Sequence, residues 1–298
     1  MDIQKYLEEK KAVVEAALDL CVPKEVEFPI SLHQAIRHSL FAGGKRIRPI
    51  LSIASFEAVG GKGDGILPFA CALEMIHTYS LIHDDLPAMD NDDYRRGKPT
   101  CHKLFGEAIA ILAGDGLLAE AFRLMSHRSH WDPLPCGQEV ALDMIHEVAQ
   151  AAGISGIVGG QVVDIESEGK EVDLATVQYI HSHKTGAMIK ASVKVGAGLG
   201  GGDEETLKVF AYYGEKAGHA FQIADDILNV VGKAELMGKK TGSDRSRGKA
   251  TYPSVLGLEE SKRKARELVE SAIDALIPYG PEADPLRDIA RFIVTREY

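Results

Sequence analysis

The chain has 298 residues, with 34 Lys and Arg against 44 Asp and Glu, a formal net charge of −10. Hydrophobic residues make up 45% and charged residues 26%, the balance of a folded globular protein rather than a disordered or collagen-like one. The acid excess argues against a general binder of nucleic acid or anionic membrane, because both demand basic surface. Four cysteines, Cys21, Cys71, Cys101 and Cys136, show no CxxC spacing, so reduced thiols and a cytoplasmic location are expected. No secretory signal pattern opens the chain, and no apolar run reaches the ~18 residues of a membrane span, so no stable membrane insertion is expected.

Apolar residues recur at spacings of three and four. Residues 3–20 read as an amphipathic helix, with Ile3, Tyr6, Leu7, Val13, Val14 and Leu18 among charges. Residues 67–85, 106–126, 138–151, 203–231 and 258–276 read as further helices, punctuated by Pro87, Pro133, Pro135, Pro253, Pro278 and Pro281. Residues 154–165 are also read as helix, although glycines break the period there. Period-two strand patterns are scarce and no linker divides the chain. The predicted fold is all-α, one domain over residues 1–298.

The most informative segment closes the helix over 67–85. It ends in Asp84 and Asp85, Pro87 follows, then Asp90, and then Arg95 and Arg96. Clustered carboxylates repel unless a cation sits among them. Oxygen-only ligands favour Mg²⁺, which completes its shell from waters and substrate phosphates. Arginine forks suit phosphate oxygens. The plain alternative is a solvated acidic turn. An EF-hand fits less well, because its sixth position is Arg95 rather than Gly. A second cluster strengthens the metal reading: Gln222, Asp225, Asp226 and Asn229, at i, i+3, i+4 and i+7, are predicted on one helix face. Carboxylates in so apolar a segment are costly unless paired or metal-bound.

Other patterns fail on context. There is one Glu-x-x-His pair, Glu74 with His77, where a di-iron bundle needs two. Gly196, Gly198 and Gly201 match a dinucleotide fingerprint without a preceding strand and are read as a helix–helix turn, with Asp203 as N-cap. Ser167, Lys170 and Lys184-Thr185-Gly186 lack β-lactamase spacing, and Gly238-Lys239 lacks that of a P-loop. His181 and His183 are expected to be exposed. Basic residues gather instead in Gly43-Gly44-Lys45-Arg46-Ile47-Arg48-Pro49, a Gly-hinged loop suited to an anion. Lys184, Lys239 and Lys249 are expected in short breaks between helices. Together these suggest two diphosphate pockets, one metal-bound and one held by Arg and Lys.

In this order the elements resemble the trans-prenyltransferases, the short-chain isoprenyl diphosphate synthases, closest to the bacterial farnesyl diphosphate synthases. The resemblance runs from Gly43 to about Leu256. It rests on Gly44–Pro49, Asp84-Asp85-x4-Asp90 with Arg95-Arg96-Gly97, Gly159-Gly160-Gln161-x2-Asp164, Lys184-Thr185-Gly186, Phe221-Gln222-x2-Asp225-Asp226 and Gly238-Lys239-x2-Gly242-x-Asp244 with Gly248-Lys249. It implies a helical bundle around a central cavity and a head-to-tail condensation of isopentenyl diphosphate with allylic diphosphates. By resemblance, two to three Mg²⁺ ions are held by Asp84, Asp85, Asp90 and Asp225. The allylic diphosphate falls to Arg95, Lys184, Thr185, Gln222, Lys239 and Lys249, and isopentenyl diphosphate to Lys45, Arg48, His77 and Arg96. The catalytic set is Asp84, Asp90, Arg95, Lys184, Asp225 and Lys239. Where the family's second motif usually ends in Asp, this chain has Asn229, which offers an oxygen but no charge. The resemblance also implies a homodimer.

The helix before Asp84 can gauge product length. At about 1.5 Å per residue, Ser80 and Tyr79 lie roughly 6–7.5 Å below the metal site. A bulky Tyr79 there forms a floor, which favours a C15 farnesyl product. The runner-up is a C20 geranylgeranyl product. A terpene cyclase is disfavoured, since the Lys45–Arg48 pocket would then have no second substrate, and a non-enzymatic helical metal scaffold is the remaining reading.

Overall fold

The structure, a computed structural model, describes residues 2–231, 249 and 251–295. Lys239 lies outside the described residues. Helix α1 (Ile3–Cys21) starts at Asp2, whose carboxylate accepts from the amides of Gln4 and Lys5 at 3.1 and 3.2 Å, satisfying two donors that the first turn leaves open. Helices α2 (Ile30–Leu40), α3 (Ile47–Ala58), α4 (Leu67–Asp84), α5 (Cys101–Phe105), α6 (Glu107–Ser126), α7 (Gln138–Ala152), α8 (Ile157–Ser167), α9 (Leu174–Ile180), α10 (Ala187–Leu199) and α11 (Glu204–Val231) follow. Three more, α12 (Tyr252–Leu256), α13 (Leu258–Ala275) and α14 (Asp284–Thr295), close the described chain. The all-α reading holds, and the long helices start and end within a residue or two of their predicted bounds.

Helix α4 is buried nearly all round because α6, α3, α1, α2 and α10 surround it, the pattern of a helix without a solvent face. The core has two parts. One gathers about α4 and α6, the other about α11 and α13. Helices α3 and α10 belong to both: Ile53 and Phe56 face the first part, and Ile50, Leu51 and Ala54 the second. Small residues let α3 and α10 approach closely, for a Cβ on Gly196 would lie 2.0 Å from the Ser52 carbonyl. This corrects the glycine reading. Gly196 and Gly198 are packing points inside α10, and only Gly201, at φ +93°, lies in the turn. The predicted cap holds, as Thr206 donates its amide to Asp203 at 2.8 Å.

The stretch Gln138–Ser167 has the length and apolarity of a membrane span, contrary to the sequence reading, with 44% of its apolar window buried. It is divided at residues 153–156 into α7 and α8. Among the described residues, the only sheet is a hairpin of β1 (Tyr94–Arg95) and β2 (Lys98–Pro99).

One buried ion pair ties the basic loop to the core. Arg46 sits in the left-handed region at φ 53°, donates to Glu74 Oε1 at 2.8 Å and to the Leu40 carbonyl at 2.7 Å, and is closed off from solvent. Removing one partner of such a pair leaves a bare buried charge. Glu74→Ala should therefore cost about 3–5 kcal/mol in urea unfolding, while Glu74→Ala with Arg46→Leu should cost less than Glu74→Ala alone.

Candidate active site

The first aspartate cluster is made by the way α4 ends. The amide of Asp90 donates to the Asp84 carbonyl at 2.8 Å and that of Asn91 to Leu86 at 3.0 Å. Asn91 adopts φ 51°, a conformation Asn tolerates well. The loop thus curls back and sets Asp90 on the helix end. Burial raises the pKa of Asp84; Lys184 opposes this, and the like charge of Asp90 adds to it.

The two aspartates of this pair have different surroundings. Asp84 is half-buried. Asp85 is 3% exposed and held by Arg95, whose Nε donates to Oδ1 and Oδ2 at 2.8 and 2.9 Å and whose Nη2 donates to Oδ1 at 2.6 Å. Burial alone would lower the pKa of Arg95, but Asp85 outweighs it and the net shift is upward. The predicted metal ligand Asp85 therefore meets Arg95 with both its oxygens.

The second pair divides in the same way. Asp225 is half-buried. Asp226 is 3% exposed, accepts from the Tyr252 amide at 2.9 Å and from Gln222 Nε2 at 3.2 Å, and lies 3.3 Å from His181 Nε2. The single polar face predicted for α11 is thus corrected: neighbours on a helix point about 100° apart, and Asp226 turns into the core. His181 is correspondingly buried rather than exposed, and His183 is half-buried, stacked on Tyr179 with ring centroids 3.8 Å apart.

Lys184 and Thr185 do not lie in a break between helices. Residues His181–Gly186 form a π-helical turn joining α9 to α10. The backbone of α8 touches it, since a Cβ on Gly160 would lie 2.3 Å from the Lys184 nitrogen. Wide turns of this kind recur at functional sites. From it Thr185 Oγ1 donates to Gln222 Oε1 at 2.8 Å and Lys184 Nζ to Asp164 Oδ2 at 2.7 Å. Lys249 donates to Asp90 at 2.9 Å and stands 3.7 Å from Asp164. Asp164, 7% exposed, thus joins two predicted phosphate lysines. Sequence reasoning gave it no role; the usable signal was a carboxylate inside the apolar helix of the Gly160-Gln161-x2-Asp164 element.

The second pocket is a cavity of about 280 Å³ lined by Gly44, Lys45, Arg48, Glu74, His77, Arg96 and Phe221, among others. The hairpin feeds it. Arg96 and Gly97 occupy its two-residue turn with φ 52° and 74°, the type I′ requirement. Arg95, on β1, reaches Asp85, while Arg96 reaches the Gly43 carbonyl. Gly44 adopts φ +124°, which favours glycine, and the Arg96 guanidinium carbon lies 2.6 Å from where a Cβ would stand. The Nε of Arg48 is buried and has no hydrogen-bond partner among the described residues. Burial lowers the Arg48 pKa, with Glu74 and Asp225 opposing, so Arg48 feels the charges of both pockets.

The carboxylate donors Asp84, Asp90 and Asp225 suit a hard divalent cation. Among the described residues, no three His, Cys, Asp or Glu side chains close a cage unaided. A hard cation such as Mg²⁺ keeps several waters and takes further ligands from phosphate.

The polyprenyl synthetase family profile matches residues 30–276. A geranylgeranyl diphosphate synthase from Cyanophora paradoxa is 49% identical over 98% of this chain and 95% of its own length. A farnesyl diphosphate synthase from Geobacillus stearothermophilus is 46% identical over 100% of this chain and 99% of its own. The crystal structure of an FPP/GFPP synthase from Zymomonas mobilis superposes with a TM-score of 0.86 at 38% identity, covering 98% of this chain and 99% of that one.

His77 offers a direct check of the cavity's electrostatics. Burial, then Arg48, Arg96, Arg95 and Arg46, hold its imidazole neutral well below the usual histidine range. The unfolded chain takes up that proton near about 6.5 and the folded chain does not, so stability should fall as pH drops below that value. Urea midpoints between about pH 7.5 and 5 should decline more steeply for the native protein than for His77→Asn; equal slopes would contradict the assignment.

Proposed function

The chain belongs to the polyprenyl synthetase family and is a prenyltransferase, and on that premise we propose that it condenses isopentenyl diphosphate head to tail with allylic diphosphates, with Mg²⁺, to a C15 farnesyl product. The observation that carries the reading is an arginine-lined cavity beside a cluster of carboxylates and lysines, with Arg48 subject to the charges of both Glu74 and Asp225. Lys45, Arg48, His77 and Arg96 grip isopentenyl diphosphate. Thr185, Gln222 and Lys184 bind the allylic diphosphate, and Arg95, fixed by Asp85, joins them. Asp84, Asp90 and Asp225 would hold two to three Mg²⁺ ions, whose charge would offset that of the diphosphate leaving group. Lys184 shares that load as the C–O bond breaks. The enclosing apolar helices keep water from the allylic cation until the isopentenyl double bond attacks it. The proton then lost passes to the departing diphosphate.

Tyr79 supports the C15 product. Its ring is 6% exposed, packs edge-on to His83 at 5.7 Å, and its hydroxyl donates to the Ala152 carbonyl at 3.5 Å. It thereby bridges α4 to the end of α7. The hydroxyl of Ser80 turns back on the His77 carbonyl at 2.9 Å. The 49% identity to a geranylgeranyl diphosphate synthase favours a C20 product as the second reading. The homodimer and the cytoplasmic location complete the proposal; mass in solution and cell fractionation test them.

Asp84→Ala should lower condensation by about 10²–10³-fold or more, measured with labelled isopentenyl diphosphate; near-native turnover would rule the reading out. Tyr79→Ala should move the product from C15 toward C20 on chromatography, and an unchanged length would remove the floor.

A further inference from the structure

His181 is not among the substrate contacts, yet it is 4% exposed and opens the π turn His181–Gly186 that carries Lys184 and Thr185. Its Nε2 lies 3.3 Å from Asp226 Oδ2. Its ring stacks on that of Tyr252, with centroids 5.1 Å apart and 24° between the planes. The far end of the turn reaches the same carboxylate by a second route. Thr185 Oγ1 donates to Gln222 Oε1 at 2.8 Å, and Gln222 Nε2 donates to Asp226 Oδ1 at 3.2 Å. Asp226 also accepts from the Tyr252 amide at 2.9 Å, and Tyr252 starts α12, three residues after Lys249. Both ends of the turn, and the segment that carries Lys249, thus meet at one buried carboxylate.

From this convergence we propose that His181 is a positioning residue for prenyl transfer: with Asp226 it holds the π turn so that Lys184 and Thr185 face the allylic diphosphate, which rests on the assignment of those two residues to that diphosphate. A π turn is rare and needs support from outside its own helix. Glycines supply part of it by bringing neighbouring backbones close. A Cβ on Gly160 would lie 2.3 Å from the Lys184 nitrogen, and one on Gly218 would lie 3.1 Å from the Gly186 Cα. Those contacts are steric and set how near the turn stands to α8 and α11. The polar ties to Asp226 are directional and set how the turn is rotated. A carboxylate oxygen only accepts, so the ring hydrogen that serves this contact is the one on Nε2. Loss of the ring leaves the turn tied to Asp226 through Thr185 and Gln222 alone, and Lys184 stands between the two ties. The residues assigned to isopentenyl diphosphate sit on other elements: Lys45 on the basic loop, Arg48 on α3, His77 on α4 and Arg96 in the hairpin turn.

The test is steady-state kinetics with geranyl diphosphate and labelled isopentenyl diphosphate. His181→Leu should raise KM for geranyl diphosphate about 10- to 100-fold, the range for residues that orient a ligand group through another side chain. KM for isopentenyl diphosphate should stay unchanged. His181→Gln, whose amide nitrogen can reach Asp226, should recover most of the loss, whereas His181→Asn, one carbon shorter, should not. Where His181→Leu does not fold, the contrast between Gln and Asn decides. Lys184→Ala is the reference and should raise the same KM. If it does so while His181→Leu keeps the native value, the positioning role is wrong and the diphosphate assignment stands. If Lys184→Ala itself leaves that KM unchanged, both fall. An equal rise of both KM values in His181→Leu, or no recovery in His181→Gln, would mark a merely structural role and overturn the proposal.

Discussion

The anchoring of one aspartate in each pair is the interaction on which the rest of the site depends. Adjacent carboxylates in a largely buried helix repel one another and draw up protons. Asp85 gives its charge to Arg95, and Asp226 gives its own to His181, Gln222 and the Tyr252 amide. That leaves Asp84 and Asp225 as the half-buried members. The division follows from helix geometry, since consecutive side chains cannot share a direction. An Asp pair thus combines one residue anchored in the core and one half-buried, and the anchored one orients the helix end.

The anion side is ordered by the same logic. Arg46 gives its charge to Glu74 and holds the loop. Lys45, Arg48 and Arg96 line the cavity that the loop encloses. Lys184 and Lys249 meet at Asp164, so cations already stand among the carboxylates of the first cluster. A net charge of −10 is thereby compatible with anionic substrates. The charge that meets phosphate is set by a few buried neighbours and hardly by the total.

Much of this was legible beforehand. The long helices follow from apolar spacing, and the aspartate pairs stand out because carboxylates are rare in such apolar segments. What stayed hidden depends on partners distant in sequence. Nothing near Asp226 announces His181 or the Tyr252 amide, so the second pair reads as one polar face and the first as a cluster of equivalent metal ligands. The π turn at Lys184 depends on contact with Gly160 of another helix, and local periodicity does not register an extra residue in one turn. The hairpin escaped because its strands are two residues each, too short for alternation to show. Its signal was the Arg96-Gly97 turn.

That hairpin carries a consequence for how the chain tolerates change in length. Arg95 and Arg96 are adjacent, yet one meets Asp85 and the other the Gly43 carbonyl. A two-residue turn with both φ angles positive has no slack. Insertion of one residue beside it would reverse which side each following side chain takes, stripping Asp85 of its partner and the Gly44 loop of its guanidinium together. Length at this turn is therefore a constant, for two adjacent arginines serve two distant partners only while the register Tyr94 to Pro99 and Arg95 to Lys98 is kept.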